Sequence, residues 1–322
     1  MKAMVLTAGY GTRLRPLTLE TAKPAIPVLG MPLIARTLQK LASSGITHSR
    51  LNLHFLPDTI KQALESFQFD LLEISYSYEP QILGTGGGLK SNESFFDCEN
   101  FLTVNGDIFF DFSIGPIIDF HIKHRAMATL ALYPQTQPYH YTPITIDSDC
   151  RIRSFPRSRL IENDSEDSYV FTGVTVLSKD IFSLIKPDGF SDMISEAYEN
   201  AIALDNKIMG FPVSGYWNDL GTPSRYLCTQ KTLFELYHWD PSTFVANSAV
   251  LGHDVELGPY VSVGSGCVIG DHCHIQDSIL WDNCHVGSGS NIRRCILGKG
   301  VSVHGHYHDR IITAAHGESS ID

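Results

Sequence analysis

The chain has 322 residues, of which 43% are hydrophobic and 18% charged, with a formal net charge of −11. That length suits two domains better than one core, and the composition excludes a disordered or low-complexity chain. The acidic balance, with no run of Lys and Arg interleaved with aromatics, argues against nucleic acid as a partner, since counterion release needs clustered cations.

The opening run Met1-Lys2-Ala3-Met4-Val5-Leu6 is apolar but far too short for a secretory signal. No stretch approaches the roughly 18 apolar residues of a membrane span. Seven cysteines, an odd count without a CxxC pair, read as reduced thiols rather than a disulfide framework. A cytoplasmic location with no membrane partner is the expectation.

Short β-rich runs alternate with amphipathic segments as far as residue 237. Strands are predicted at Met4-Val5-Leu6, Leu51 to Phe55, Glu73 to Tyr76, Phe101 to Val104 and Ala128 to Leu132. Helices are predicted over residues 32–43, where Leu33, Thr37, Leu38 and Leu41 share a face ahead of Gly45, and over 114–124 and 223–237. The alternation implies an α/β fold, a Rossmann-like, mainly parallel sheet covered on both faces, with ligands at the carboxyl ends of its strands.

Beyond Tyr237 the period changes. Val245, Leu251, Leu257, Val263, Ile269 and Ile275 recur every six residues, and Ala249, Val255, Val261, Cys267, Cys273 and Ile279 form a second inward series. The register then slips by one, so that Leu280, Val286 and Ile292 continue the first series. Neither a helical nor a strand period fits; a β-helix with one hexad per flat face does. This part resembles the left-handed parallel hexapeptide-repeat β-helix, with about three coils. The expected division is residues 1–237 and 238–322.

The densest motif is Gly9-Tyr10-Gly11-Thr12-Arg13-Leu14-Arg15-Pro16-Leu17-Thr18, followed by Lys23-Pro24, directly after the first strand. Glycines let backbone N–H groups approach phosphate oxygens, and Arg13 and Lys23 add full charges. A dinucleotide fingerprint fails, because Leu14 stands where its third glycine belongs, and the Gly-Lys-Ser/Thr of a Walker A loop is absent. Asp107, next to Gly106, and Asp219, two residues before Gly221, each at the end of an apolar strand, form a carboxylate pair suited to Mg²⁺, or else are turn-forming Asx residues.

At this string the sequence resembles the sugar-1-phosphate nucleotidyltransferases, most closely mannose-1-phosphate guanylyltransferases. Three later segments agree in order: Leu83-Gly84-Thr85-Gly86-Gly87-Gly88-Leu89 after Tyr78-Glu79-Pro80, then Val104-Asn105-Gly106-Asp107, then Tyr216-Trp217-Asn218-Asp219-Leu220-Gly221-Thr222-Pro223. The resemblance implies transfer of a nucleotidyl group from a nucleoside triphosphate to a sugar 1-phosphate, with release of pyrophosphate. It implies GTP and mannose 1-phosphate as substrates and Mg²⁺ on Asp107 and Asp219. Catalysis falls to Arg13 at the β- and γ-phosphates, Lys23 at the α-phosphoryl group, and Asp107. Nucleotide contacts are expected from Leu6, Ala8, Gly9, Gly11, Thr12, Arg13, Glu79, Gly84, Thr85, Gly86 and Asn105, with residues 86–88 lying flat under the base and Glu79 accepting from a guanine edge. Gly173 and Asn218 are expected at the sugar, Gly173 being equally readable as a bulge.

Two departures stand out. The usual Pro-Lys-Pro reads Ala22-Lys23-Pro24, and the Glu-Lys-Pro sugar motif is replaced by Phe155-Pro156-Arg157-Ser158-Arg159. Uridylyltransferases acting on N-acetylmuramic acid 1-phosphate carry similar leading motifs and are the alternative. A hexapeptide acyltransferase and a non-catalytic regulatory homologue are weaker alternatives. His304, His306 and His308 read as a solvated tail, Cys267, Cys273 and Cys284 as core stacking, and the β-helix as a surface for homo-oligomer formation.

Overall fold

The computed structural model describes residues 1–135, 141–155, 168–239 and 242–321. The chain folds as two compact units that are each discontinuous in sequence. The first comprises Met1–Gly9, Arg36–Phe55 and Phe67–Asn218, and the second Tyr10–Ala35, Leu56–Ser66 and Asp219–Asp322.

The described residues of the first unit build a seven-stranded sheet. Its main strands are β1 (Lys2–Leu6), β2 (His48–Leu53), β3 (Glu73–Tyr78), β4 (Asn100–Asn105), β5 (Ala128–Pro134), β6 (Tyr169–Ser178) and β7 (Ile208–Pro212), in the order β7-β5-β6-β4-β1-β2-β3. β1 runs parallel to β2 and β4, β2 to β3, and β7 to β5, whereas β6 is antiparallel to both neighbours. Parallel strands buried on both faces read as continuous apolar runs, and Ala3, Met4 and Val5 of β1 and Phe101, Leu102 and Val104 of β4 are each fully buried. Removing one such large aliphatic from water is worth about 1.5–3 kcal/mol, so the central strands are fixed by their own composition.

Register brings the carboxyl ends of these strands level. Leu6 lies beside both Asn52 and Asn105, and Leu53 beside Tyr78. The chain leaves its strand after Leu6, Leu53, Tyr78 and Asn105, which gathers these loops at one end of the sheet. The predicted β2 end at Phe55 is shortened to Leu53, since Leu56 adopts a left-handed φ of 47° just before a helix starting at Pro57.

In the second unit, residues 243–313 form a parallel β-helix. Leu251 stacks on Ile269 eighteen residues later, Ile269 on Val286 and Val286 on Val303 at seventeen, and Ile292 on Tyr307 at fifteen. The described residues thus make four coils where repeat counting gives about three. The last coil is short, with its inward residues after Val303 at Tyr307 and Ile312, which hides it from a count at period six. His306–His308 is accordingly a strand stacked on Asn291–Arg293, not a tail. The slip also comes one residue earlier than expected. Ser262 pairs with Ile279, placing buried Ser278 rather than Ile279 next in the second series, after a turn at Asp277 with φ 47°. Cys267, Cys273, Cys284 and Cys295 are all buried in the column, with no disulfide among them. The final strand Arg310–Thr313 pairs antiparallel with Gly317–Ser320, and the tip of this hairpin reaches back to the start of the chain, where the Ala315 N–H donates to Glu20 Oε1 at 2.9 Å.

Candidate active site

The signature string in the second unit is stapled from within. Gly11 takes a left-handed φ of 61° and leads into a 3-10 turn at Thr12–Leu14. The Thr18 hydroxyl donates to Gly11 O at 2.8 Å and Leu14 N–H donates to the same oxygen at 3.0 Å. Leu14 and Leu17 anchor the turn as fully buried side chains. The apolar anchors point inward, which leaves Thr12 and Arg13 outside; the Arg13 side chain is 62% exposed. Lys23 is buried, and its Cβ lies 3.1 Å from where a Cβ on Gly11 would stand.

Asp219 ends the short strand Trp217–Asp219, and its carboxylate is drawn to two guanidinium groups. Arg225 Nη1 donates to Oδ1, and Arg13 Nη2 lies 3.7 Å from Oδ2. Arg225 sits in the first turn of the helix Pro223–Leu236, whose N-cap Thr222 accepts from the Arg225 N–H at 3.3 Å. Sequence reasoning passed over Arg225. The available signal was Thr222-Pro223, an N-cap followed by Pro at N1, which folds the sixth residue after Asp219 back towards it.

In the first unit, Leu6 O accepts from Gly106 N–H at 2.9 Å, and the half-buried Asp107 occupies the turn between β4 and the strand Ile108–Phe110. Asn105 packs against Gly173, whose φ of 88° and lack of a Cβ admit the amide: a Cβ there would stand 2.7 Å from Asn105 Nδ2. Register also shows why β6 bends at this point, because Leu130 pairs with Thr175 and Leu132 with Phe171, leaving Ala131 opposite three residues. The bulge and the approach to Asn105 are therefore one feature. Asn218 Nδ2 donates to the Tyr216 hydroxyl at 3.3 Å. Trp217 is core, its Nε1 donating to Thr172 O at 2.8 Å. Ala8 is buried and Gly9 exposed. Among the described residues nothing lies within 4 Å of a Cβ placed on Gly9.

The glycine-rich segment differs from expectation. Residues 86–88 are buried in the helix Gly84–Lys90, and protein fills the space beside each one. A Cβ on Gly86 would stand 2.7 Å from Ser191 Oγ, on Gly87 2.4 Å from Gly189 O, and on Gly88 2.6 Å from Glu79 Oε1. Each glycine in a helix costs about 1 kcal/mol relative to alanine, and close packing explains why three stand in a row. On the side a Cβ would take, they are packed by protein. Glu79 is engaged as well. It is 4% exposed, with Oε1 accepting from Asn52 Nδ2 at 2.6 Å and Oε2 from Leu83 N–H at 3.1 Å. Its carboxylate thus clamps β2 to the segment after β3. Thr85 is engaged too, its hydroxyl donating to Asp192 Oδ2 at 3.2 Å and accepting from Met193 N–H at 3.0 Å. Asn52, not among the predicted contacts, ties three strand ends together: its Oδ1 accepts from Thr7 N–H at 2.8 Å while its amide holds Glu79. Residues 156–159, read as the altered sugar motif, lie outside the described residues.

Comparison with known proteins decides the family. The model of the family described as nucleotidyl transferase matches residues 2–235, and that of the GMPPB C-terminal domain matches residues 239–312. The chain belongs to the nucleotidyl transferase family. As a sugar-1-phosphate nucleotidyltransferase it is an enzyme, which sets aside the acyltransferase and non-catalytic readings. It is 28% identical over 302 residues to "Mannose-1-phosphate guanylyltransferase" of Mycobacterium tuberculosis, covering 91% of this chain and 83% of that one. It is 29% identical over 323 residues to "Mannose-1-phosphate guanyltransferase" of Aspergillus fumigatus, covering 94% and 87%. The crystal structure of HddC from Yersinia pseudotuberculosis matches with a TM-score of 0.60 at 20% identity, over 72% of this chain and 99% of that one, a likeness of fold.

Nucleotidyltransferases of this family generally use divalent metal ions. Asp107 and Asp219 each offer hard carboxylate oxygens, the donor type such a cation prefers. The donor chemistry fits. Among the described residues no group of three or more His, Cys, Asp or Glu is placed to hold a metal, and no helix is long and apolar enough to cross a membrane.

Proposed function

We propose that this nucleotidyltransferase uses GTP and mannose 1-phosphate, forming GDP-mannose and pyrophosphate with Mg²⁺. The observation that carries the choice of base and sugar is coverage: relatives named for that reaction align with 91% and 94% of the chain, through both matched families. A phosphate oxygen of the sugar attacks the α-phosphorus in line with the departing pyrophosphate. The nucleophile is already anionic, so the protein's task is positioning and charge neutralisation. In this reading Arg13, exposed on its stapled turn, takes the β- and γ-phosphates, and the buried Lys23 takes the α-phosphoryl group. Gly9 offers open backbone to the nucleotide, Asn105 and Gly173 line the end of the sheet, and Asn218 serves the sugar. Asp107 and Asp219 supply oxygens to Mg²⁺, which when bound offsets charge on the phosphates. Residues 1–237 carry the catalysis in this scheme, and residues 238–322 serve assembly of a homo-oligomer.

The test is pyrophosphate release with Mg²⁺, each of four nucleoside triphosphates and a panel of sugar 1-phosphates. Release with GTP and mannose 1-phosphate alone is expected. Release with UTP and N-acetylmuramic acid 1-phosphate would overturn the choice of substrates and keep the reaction class. For assembly, sedimentation at micromolar concentration is expected to show more than the 35.7 kDa monomer.

A further inference from the structure

Asp219 is 9% exposed and has two guanidinium groups around it. Their meeting point is Gly221. A Cβ there would stand 2.9 Å from Asp219 Oδ2, 3.1 Å from Arg13 Nη1 and 3.2 Å from Arg225 Nη1. Any larger residue at 221 would push these three groups apart. Of the two cations, Arg13 is mostly in water, while the Arg225 side chain is only 22% exposed and donates directly to Oδ1. Its backbone is fixed by the Thr222 cap. The Arg225 charge is therefore built in rather than swung in from solvent, and it sits on a carboxylate proposed above to serve a divalent cation.

The fixed Arg225 charge, with the solvated Arg13 beside it, opposes the approach of a further cation, and more strongly where water is excluded. A triphosphate changes the balance. Its oxygens match the planar fork of a guanidinium as well as a carboxylate does, so it substitutes for Asp219 on the arginines and returns Oδ1 to other use. We propose that Arg225 is a positioning residue that keeps Asp219 neutralised in the free enzyme, making metal loading at Asp219 conditional on the nucleotide. The inference rests on the reading of Asp219 as a metal ligand.

It is tested on the full chain without substrates by titrating Mn²⁺ and following loss of the free-ion paramagnetic resonance signal, with circular dichroism and thermal melting as controls of folding. Arg225→Gln, which removes the charge and keeps the stem length, is expected to tighten Mn²⁺ binding by about tenfold, the size of one removed like charge at short range in a partly screened site. Arg225→Lys should stay within about threefold of wild type, because its charge is retained. Adding Asp219→Asn to Arg225→Gln should remove the gain. If Arg225→Gln binds Mn²⁺ no more tightly than wild type while Asp219→Asn alone weakens binding, the inference falls and Asp219 stands as a ligand. If the double variant keeps the tight binding, both fall. Should Arg225→Gln melt early, Arg225→Met serves as the second neutral variant, with the same tightening expected and the same absence of tightening overturning the idea.

Discussion

Two glycine-bearing segments of this chain look alike as strings and behave as opposites in space. Around residues 84–88 the missing side chains are replaced by protein: Ser191, Gly189 and Glu79 occupy the room. At Gly9 nothing in the described structure takes that room, and the residue is exposed at the end of the first strand's run. The first segment needs glycine to fold. The second has no such internal need, and its open side is what the nucleotide contact proposed above would use. A glycine count by itself cannot tell these apart, because it records the gap and not what fills it.

The largest expected effect lies beside the open segment. Arg13→Ala should fold normally, since its side chain is mostly solvated, yet lose more than a hundredfold in kcat/KM, about 3 kcal/mol of barrier. Unchanged turnover would remove the phosphate role assigned to the loop. The closed logic is tested next by a buried polar side chain. His121 is 1% exposed, with Thr129 Oγ1 2.9 Å from its Nδ1 and Asn100 Oδ1 3.1 Å from its Nε2. Burial holds its pKa down at about 4 against an ordinary 6.5. The folded state thus resists a proton that the unfolded chain accepts, so its stability is full above pH 6.5 and declines as the pH falls toward 4. The loss should reach about 3 kcal/mol. Urea unfolding across that window should show the decline, and His121→Gln should flatten it.

Gly88→Ala probes the closed glycines directly. Its Cβ would stand 2.6 Å from Glu79 Oε1, and we expect about 2 kcal/mol of destabilisation, read as a lower Tm. The smallest stability effect is the sharpest contrast: Gly9→Ala should shift stability by less than about 0.5 kcal/mol while raising KM for the nucleoside triphosphate. Equal losses of Tm in these two variants would erase the distinction between the segments.

Much of the architecture was legible in the sequence, for reasons visible in single residues. Ala3, Met4 and Val5 can only be a buried strand, and the six-residue recurrence from Val245 to Ile275 has one regular solution. Strand direction was not legible: nothing in Tyr169–Ser178 marks it as the antiparallel member, because side-chain alternation is the same either way. Nor was the short fourth coil, whose spacing of fifteen departs from the hexad. At the candidate site, the motifs marked Arg13, Lys23 and Asp219 as candidates, and the structure sets Arg13 beside Asp219. No motif marked the engagement of Glu79 by Asn52, twenty-seven residues away, since such pairing depends on neighbouring strands ending level.

The Ala315–Glu20 bond spans 295 positions, and the bond from the Tyr226 hydroxyl to Pro27 O spans 199. Contacts so distant along the chain form late, after the loop-closure entropy has been met. The signature string thus holds its local staple, Thr18 on Gly11, before Glu20 and Pro27 beside it gain these distant partners, so its own geometry does not wait on the hairpin.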